Sequence, residues 1–484
     1  MIAIGQKKEC FFDEYLIDTE KTTAQWRVHE PVRRECVIEH DEPWEGDGCN
    51  FHNFFWDEEK KIYRMYYLGW WMLSKCKGIR VCYAESEDGL HWVKPSLGIC
   101  EFEGSRDNNI ILDTTMHPNI DNFMVFKDDN PACPPERRYK AICSNHDKKD
   151  FGLWHYYSED GIHFKHGGMV TDKGFFDSLN VAFWDAEAGK YRCYYRSMHN
   201  IFDSTKIPKW GEADVFADED AWRDIRTIES DDFEHWTEPK QLDFGDAEDI
   251  QLYTNLVQKY PRAPHIFVGF PTRYIRRKEW SKNFEELCGL EKRRERMEVN
   301  PRYGEVITDC VFMTSRDGLH FKRYDEAFMR PEPEHPNNWV YGDRYPARGF
   351  LETSSDIKGA DPELSMFAPD NHWMGEPARL IRFSMRCDGF VSLHAGVKEE
   401  TIVTKPFTYE GSELRINFAT SAWGYLYITL VGEDGTRVES GEIFGNKIDR
   451  RVGFPEGAVA ALAGKAVTME IRMRDADMYA IQFV

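Results

Sequence analysis

Acidic residues gather at recurring places in this chain. Glu45-Gly46-Asp47-Gly48-Cys49-Asn50-Phe51-His52, Asn119-Ile120-Asp121-Asn122-Phe123, Phe176-Asp177-Ser178-Leu179-Asn180 and Ala247-Glu248-Asp249-Ile250-Gln251 each set carboxylates beside amides. A fifth stretch, Asp343-Arg344-Tyr345, has Glu352 behind it. Carboxylates brought to one cleft repel one another and pull their proton affinities apart, so one keeps its proton while another stays an anion. Such a pair can cleave a glycosidic bond. One group protonates the leaving oxygen, and the other acts as nucleophile or activates water. Asp47, Asp121 and Asp177 are the candidates for that work, with Glu248, Asp249 and Glu352 in reserve; each could instead cap a turn or bind a cation.

Other side chains fit a polar pocket around them. Arg273 and Arg344 could clamp hydroxyls or a carboxylate, and Trp44, Trp70 and Trp71 could stack on a ring. Asn50, Asn180, His52 and His265 could supply hydrogen bonds, although a packed histidine is the commoner case.

These residues need a scaffold, and the sequence names one. Ser86-Glu87-Asp88-Gly89-Leu90-His91-Trp92 returns as Ser158-Glu159-Asp160-Gly161-Ile162-His163-Phe164, Ser230-Asp231-Asp232-Phe233-Glu234-His235-Trp236 and Ser315-Arg316-Asp317-Gly318-Leu319-His320-Phe321. A weaker fifth copy is Arg386-Cys387-Asp388-Gly389-Phe390. The Asp recurs at intervals of 72, 72, 85 and 71 residues, and a near-constant period marks a repeat architecture. Asp-Gly before an apolar residue is hairpin chemistry, because Gly takes the positive φ of a tight turn and Asp binds its own backbone. The motif is therefore structural; a catalyst does not need its acid five times.

Upstream of it recur aromatic runs broken by Asp, Gly and Lys: Trp56-Asp57 before Lys61-Ile62-Tyr63-Arg64, Phe126-Lys127-Asp128 before Arg138-Tyr139-Lys140, and Trp184-Asp185 before Lys190-Tyr191-Arg192. They read as antiparallel strands. Each repeat is then a blade, and the chain is predicted to be all-β, with a five-bladed β-propeller over residues 1–389. Blades of compact propellers take roughly 40 to 45 residues. The surplus here must sit in loops on the propeller faces, where sites are built. Phe11 to Ile17 is expected to add a strand that packs on the propeller or helps to close it. After residue 389 come short strands such as Leu414-Arg415-Ile416-Asn417-Phe418 and Val467-Thr468-Met469-Glu470-Ile471, which predict a β-sandwich over 390–484. Inside the one long interval, apolar residues at 280, 284, 287, 290 and 297 predict a helical insertion near 276–298, its charges solvated, a candidate lid or homo-oligomer contact.

A formal net charge of −22 argues against nucleic acid and anionic membrane surfaces as partners. No apolar run has the length of a signal or a membrane helix, which predicts a cytoplasmic protein. Twelve cysteines without a C-x-x-C pair support neither a zinc site nor a disulfide framework, so no metal and no cofactor is expected.

Five aromatic-rich blades, acids at the start of the repeats and a C-terminal sandwich resemble the glycoside hydrolase superfamily of families 32, 43 and 68, family 32 above all. In that superfamily the first three blades supply a nucleophile or base, a transition-state stabiliser and an acid. The resemblance implies Asp121, in Ile120-Asp121-Asn122-Phe123, as stabiliser and Asp177, in Phe176-Asp177-Ser178, as acid. Asp121 lacks the family's flanking Arg and Pro, and Asp177 holds the place of the Glu in its Glu-Cys acid. In blade one Asn50 falls where the nucleophile would stand, and Asp47 is the nearest acid. The chain is thus expected to be an exo-acting glycosidase on a short oligosaccharide or glycoside, with a furanoside among the candidate substrates. The alternatives are a non-catalytic carbohydrate-binding propeller, and a glycoside phosphorylase in which Arg273, Arg344 and a His or Lys converge on phosphate.

Overall fold

Five antiparallel sheets of four or five strands follow one another along the chain in a computed structural model that describes all residues except 73–77, 115–119, 148, 202–220 and 278. Blade one holds Asn50–Asp57, Ile62–Gly69, Arg80–Ser86 and Ile110–Asp113; blade two holds Asp121–Lys127, Tyr139–Asn145, Gly152–Ser158 and Lys165–Thr171. Blade three runs from Val181–Asp185 through Lys190–Asn200 and Ala221–Ser230 to Lys240–Gln241, and blade four carries five strands between Gln258–Tyr260 and Phe321–Met329. Blade five takes three strands from Leu351–Thr353, Glu363–Asp370 and Arg379–Arg386. Its fourth is Val32–Glu39, from near the start of the chain. The ring is closed by that strand and not by Phe11 to Ile17, which forms no regular strand.

The recurrent motif forms the turn its residues demand. Ser86 Oγ accepts from the Gly89 amide at 2.9 Å, Asp88 Oδ1 accepts from the amides of Leu90 and His91 at 2.8 Å, and His91 Nδ1 meets Asp88 Oδ2 at 2.7 Å. Gly89 sits at φ +75°; in the third copy Phe233 holds the same left-handed position at +68°. The turns also fasten blades together. Tyr66 of blade one donates to the Gly161 carbonyl of blade two at 2.9 Å, and Tyr194 of blade three donates to the Gly318 carbonyl of blade four at 2.9 Å. The fifth copy has another role. Asp388 is fully buried and receives Tyr260, Arg262 and Lys8.

The second recurrent element supplies a further set of fasteners. Asp57, ending the first strand of blade one, accepts from Lys127 at 2.7 Å and from Tyr139, both in blade two. Asp128 accepts from Tyr191 of blade three at 2.7 Å, and Asp185 pairs with Lys259 of blade four at 3.2 Å.

Beyond the ring, Leu414–Gly432 and Val467–Phe483 pair along most of their lengths at the centre of a ten-stranded sheet system, the β-sandwich. Ile2–Gly5, Glu9–Cys10 and Gln25–Val28 join the same sheets, so the first residues of the chain lie with the last rather than within the propeller. The division is sharp. Phe11 packs into the core of the sandwich and its neighbour Phe12 into that of the propeller.

The insertion in blade four is broken into Lys282–Glu286, Leu290–Val299 and Arg302–Glu305, with Gly289 at φ +71° between the first two. Phe284 and Leu287 are buried as the spacing predicts, but so are Arg293 and Arg296, which the amphipathic pattern leaves in solvent. Their guanidiniums bond the carbonyls of Gly304, Trp339 and Tyr341. No helix among the described residues is long and apolar enough to cross a membrane.

Asp57 tests the fasteners. Burial pushes its carboxyl up, but hydrogen bonds from Lys127 and Tyr139 and the charge of Arg64 bring it down to about 2. Asp57→Ala leaves the buried Arg64 without its anion and takes one of two carboxylates from the part-buried Lys127, and should cost about 3 kcal/mol in denaturant unfolding at neutral pH. A depressed carboxylate stabilises above its unfolded value near 4 and loses that contribution as pH falls toward 2. The gap between wild type and variant should therefore narrow over that window; a gap that stays constant there contradicts the assignment.

Candidate active site

A pit of about 160 Å³ opens where the first three blades meet loops of the fourth and fifth. Asn50, Trp70, Asp121 and Asp177 enter it from blades one to three, Arg302 and Tyr303 from the insertion, and Tyr341, His372 and Trp373 from the loops around blade five. Two of the three aspartates expected to act are brought together here.

Asp121 opens the first strand of blade two. Asn122, at φ +55°, turns the chain just after it, and the Asp121 carbonyl accepts from Ser144 Oγ at 3.2 Å. His146 follows the neighbouring strand and sets Nε2 3.4 Å from Asp121 Oδ2. Asp177 stands on the loop before the first strand of blade three, which Ser178 ties to the Tyr253 carbonyl at 2.7 Å. Its side chain is 37% exposed, toward the pit, and Arg196 NH2 lies 3.8 Å from its Oδ2.

The two carboxyls have opposite environments. Burial and the nearby Asp177 raise Asp121 above the usual range against the pull of His146. Burial also acts on Asp177, but Arg196, His146, Arg302 and Arg223 hold it below that range. His146 is raised, its desolvation outweighed by the two aspartates. The pit thus favours a proton on Asp121 over one on Asp177, the reverse of the roles that the family resemblance implies. One ligand atom each from Asp121, His146 and Asp177 lies within 4.8 Å of the others, the one such group found among the described residues that could hold a metal ion.

Asp47 is elsewhere. Fully buried, it accepts from the Met72 amide at Oδ1 and the Gly375 amide at Oδ2, each at 3.0 Å, and its carbonyl accepts from the Trp373 amide at 2.8 Å. It pins the loop that carries Trp70 to the turn that carries His372 and Trp373, whose indoles meet edge to face at 5.3 Å. Among the described residues blade one therefore presents an amide to the pit, Asn50, and no carboxylate. His52 lies behind the wall, its Nε2 2.9 Å from that of His40, which leads on to Glu45.

The remaining candidates do not line the pit. Asn180 spends its amide on the carbonyls of Phe176 and Ser178. Asp249 binds His199 at 2.8 Å, Glu248 is exposed, and Glu352 pairs with Arg262 at 2.7 Å. Arg273 is bidentate to Asp309 on the wall of a larger groove of about 750 Å³, where Arg344 is tied to Glu332. Each of the two guanidiniums is thus held by a carboxylate and not left open to a phosphate. His265 binds Glu9. The sequence reading passed over His146, Arg196, Arg302, Tyr303, His372 and Trp373. The first two follow or sit within recognised strands and could have been found by extending each strand to its far end. The others come from loops with no repeating signal.

No protein-family model matches this chain, and no curated protein does. Solved structures are similar to it. An N-acetylgalactosamine deacetylase from F. plautii, in complex with blood group B trisaccharide, is similar over 76% of this chain and 96% of its own, at 12% identity and a TM-score of 0.42. The Bombyx mori GH32 beta-fructofuranosidase, of the family that the sequence resembles, covers 93% of this chain and 94% of its own, at 9% identity and a TM-score of 0.38. A Penicillium chrysogenum alpha-L-arabinanase complexed with arabinobiose covers 74% and 99%, at 9% and 0.39. Likenesses this distant transfer no chemistry, which has to come from the side chains of the pit.

Asp47 separates a pin from a catalyst. Asp47→Ala takes the acceptor from the part-buried amides of Met72 and Gly375, a loss of at most about 1 to 3 kcal/mol, and should lower the melting temperature and change the tryptophan fluorescence. Asp47→Asn keeps one acceptor oxygen and should lose less. Equal loss of turnover in both variants at unchanged melting temperature would instead make Asp47 a reacting group.

Proposed function

We propose that the protein is a glycoside hydrolase that removes a terminal residue from a short oligosaccharide or glycoside held in the central pit. The observation that carries this reading is the convergence of Asp121 and Asp177, from different blades, on one aromatic-walled pit. Trp70, Tyr303, Tyr341, Tyr345 and Trp373 offer ring faces and edges of the kind that pack on the C–H face of a sugar. At about 160 Å³ the pit is smaller than the roughly 300 to 1,000 Å³ common for ligand pockets, which suits a chain end rather than a chain passing through.

In this reading the Asp121, His146 and Asp177 cluster activates a water molecule. Its oxygen bonds to the anomeric carbon, the bond from that carbon to the leaving oxygen breaks, the cluster takes the proton from water, and the leaving oxygen takes one from solvent on the opposite face. Arg196 and Arg302 stabilise the negative charge that gathers beside Asp177.

Asp121→Asn and Asp177→Asn, assayed on aryl furanosides and pyranosides, should each lower kcat by roughly 10² to 10⁴ while leaving sugar binding within a fewfold. If wild type and Asp177→Asn bind a sugar alike and neither turns it over, the protein is a binding propeller and the reading fails.

A further inference from the structure

We propose that Asp121, His146 and Asp177 form a divalent-cation site, open on the pit side, for an ion of the zinc or manganese type. The proposal rests on the same pit as the hydrolase reading and deepens it by naming what the cluster would hold.

The spacing carries it first. Side-chain atoms bound to one ion at about 2.0 to 2.2 Å stand about 3.3 to 3.6 Å apart at a tetrahedral angle and up to about 4.3 Å apart across the ion. Asp121 Oδ2 and His146 Nε2, at 3.4 Å, are already at such a span. Asp177 completes a triangle with no side above 4.8 Å, so shifts of a few tenths of an ångström bring all three to bonding distance. A shared proton would need two carboxylate oxygens in direct contact at about 2.5 to 2.7 Å.

The donors come next. Two carboxylates and an imidazole, with no thiolate, make a mixed oxygen and nitrogen set; calcium and magnesium prefer oxygen alone, and soft ions prefer sulfur. Three protein ligands with an open side are the pattern of sites that also bind water and substrate.

The surroundings give an independent observation. Among the described residues, no donor lies within hydrogen-bond distance of the Asp177 carboxylate, and Arg196 stops at 3.8 Å. On the same pit, Asn50 Oδ1 and both ring nitrogens of His372 have no hydrogen-bond partner, although Asn50 is 3% and His372 1% exposed. Buried polar atoms are rarely left so. Water or substrate atoms held on an ion would give them partners. Arg196, Arg223 and Arg302 already offset the negative charge of the two aspartates, so a divalent ion would leave the pit with excess positive charge and favour an anionic further ligand. A bound ion lowers the pKa of its water toward 7, which is how it would supply the nucleophile of the hydrolase reading.

The test uses full-length protein stripped with chelator and titrated with zinc, manganese and magnesium chlorides by calorimetry, with metal content measured after dialysis. One ion per chain is expected for zinc or manganese, at micromolar or tighter Kd and at least tenfold weaker for magnesium. Asp177→Asn and His146→Ala should weaken binding by at least a hundredfold with unchanged circular dichroism, while Glu352→Gln, outside the pit, should bind as wild type. Cobalt absorption bands present in wild type and lost in Asp121→Asn give a second reading should His146→Ala fail to fold. Binding no tighter than millimolar, or equal binding in Asp177→Asn, overturns the site. Glycoside cleavage by ion-free protein at the full rate also overturns it and leaves the hydrolase reading intact. One tightly bound ion with no glycoside cleaved does the opposite.

Discussion

The order of the first four blades depends on a buried carboxylate at the end of a blade's first strand. Asp57, Asp128 and Asp185 each reach across to a cation or phenol of the next blade, and all three are buried. A buried anion is costly unless it is paired and hydrogen-bonded, so each of these residues holds its neighbouring blade at one distance and one angle. The Asp-Gly turns add a second row of fasteners through Tyr66 and Tyr194. Sheets that met only through apolar faces could slide. Sheets pinned by directional bonds cannot, and the strand starts around the axis inherit that order.

The pit is the consequence. Its walls are drawn from several blades and from loops between residues 302 and 373, so no single repeat holds a complete site. Asp47 shows how such walls are fixed: an acid that a sequence reading places in the chemistry instead joins two loops through backbone amides. The blade-four insertion is a wall too. Its buried Arg293 and Arg296 bond loop carbonyls and so seat Arg302 and Tyr303 at the pit.

Electrostatically the pit is a small set of acids inside a larger set of bases. Arg196, Arg223 and Arg302 act on Asp177, while His146 is the base that pairs with Asp121. Two chemically identical side chains from adjacent blades therefore differ in proton affinity through their neighbours alone. This difference, and the unsatisfied Asn50 and His372 beside it, mark the pit as a place for a polar guest rather than as packed core.

How much of this was legible depended on range. Repeat number, blade order, the C-terminal sandwich and the presence of Asp121 and Asp177 near the axis followed from period and local pattern, because hairpin turns and strand alternation are set by residues within a few positions of one another. The closing strand Val32–Glu39, the first strands joining the sandwich, the burial of Arg293 and Arg296 and the diversion of Asp47, Arg273 and Arg344 to structural partners were not legible. Each is settled by a partner far away in the chain: Asp47 by Gly375, Arg344's loop by Thr272, His146 by Asp121 across a strand pair. By itself the sequence determined which residues could do chemistry and what scaffold would carry them. Only the tertiary structure decided which of them meet, since a side chain's role follows from the partner that satisfies its charge, and that partner is chosen by packing and not by spacing.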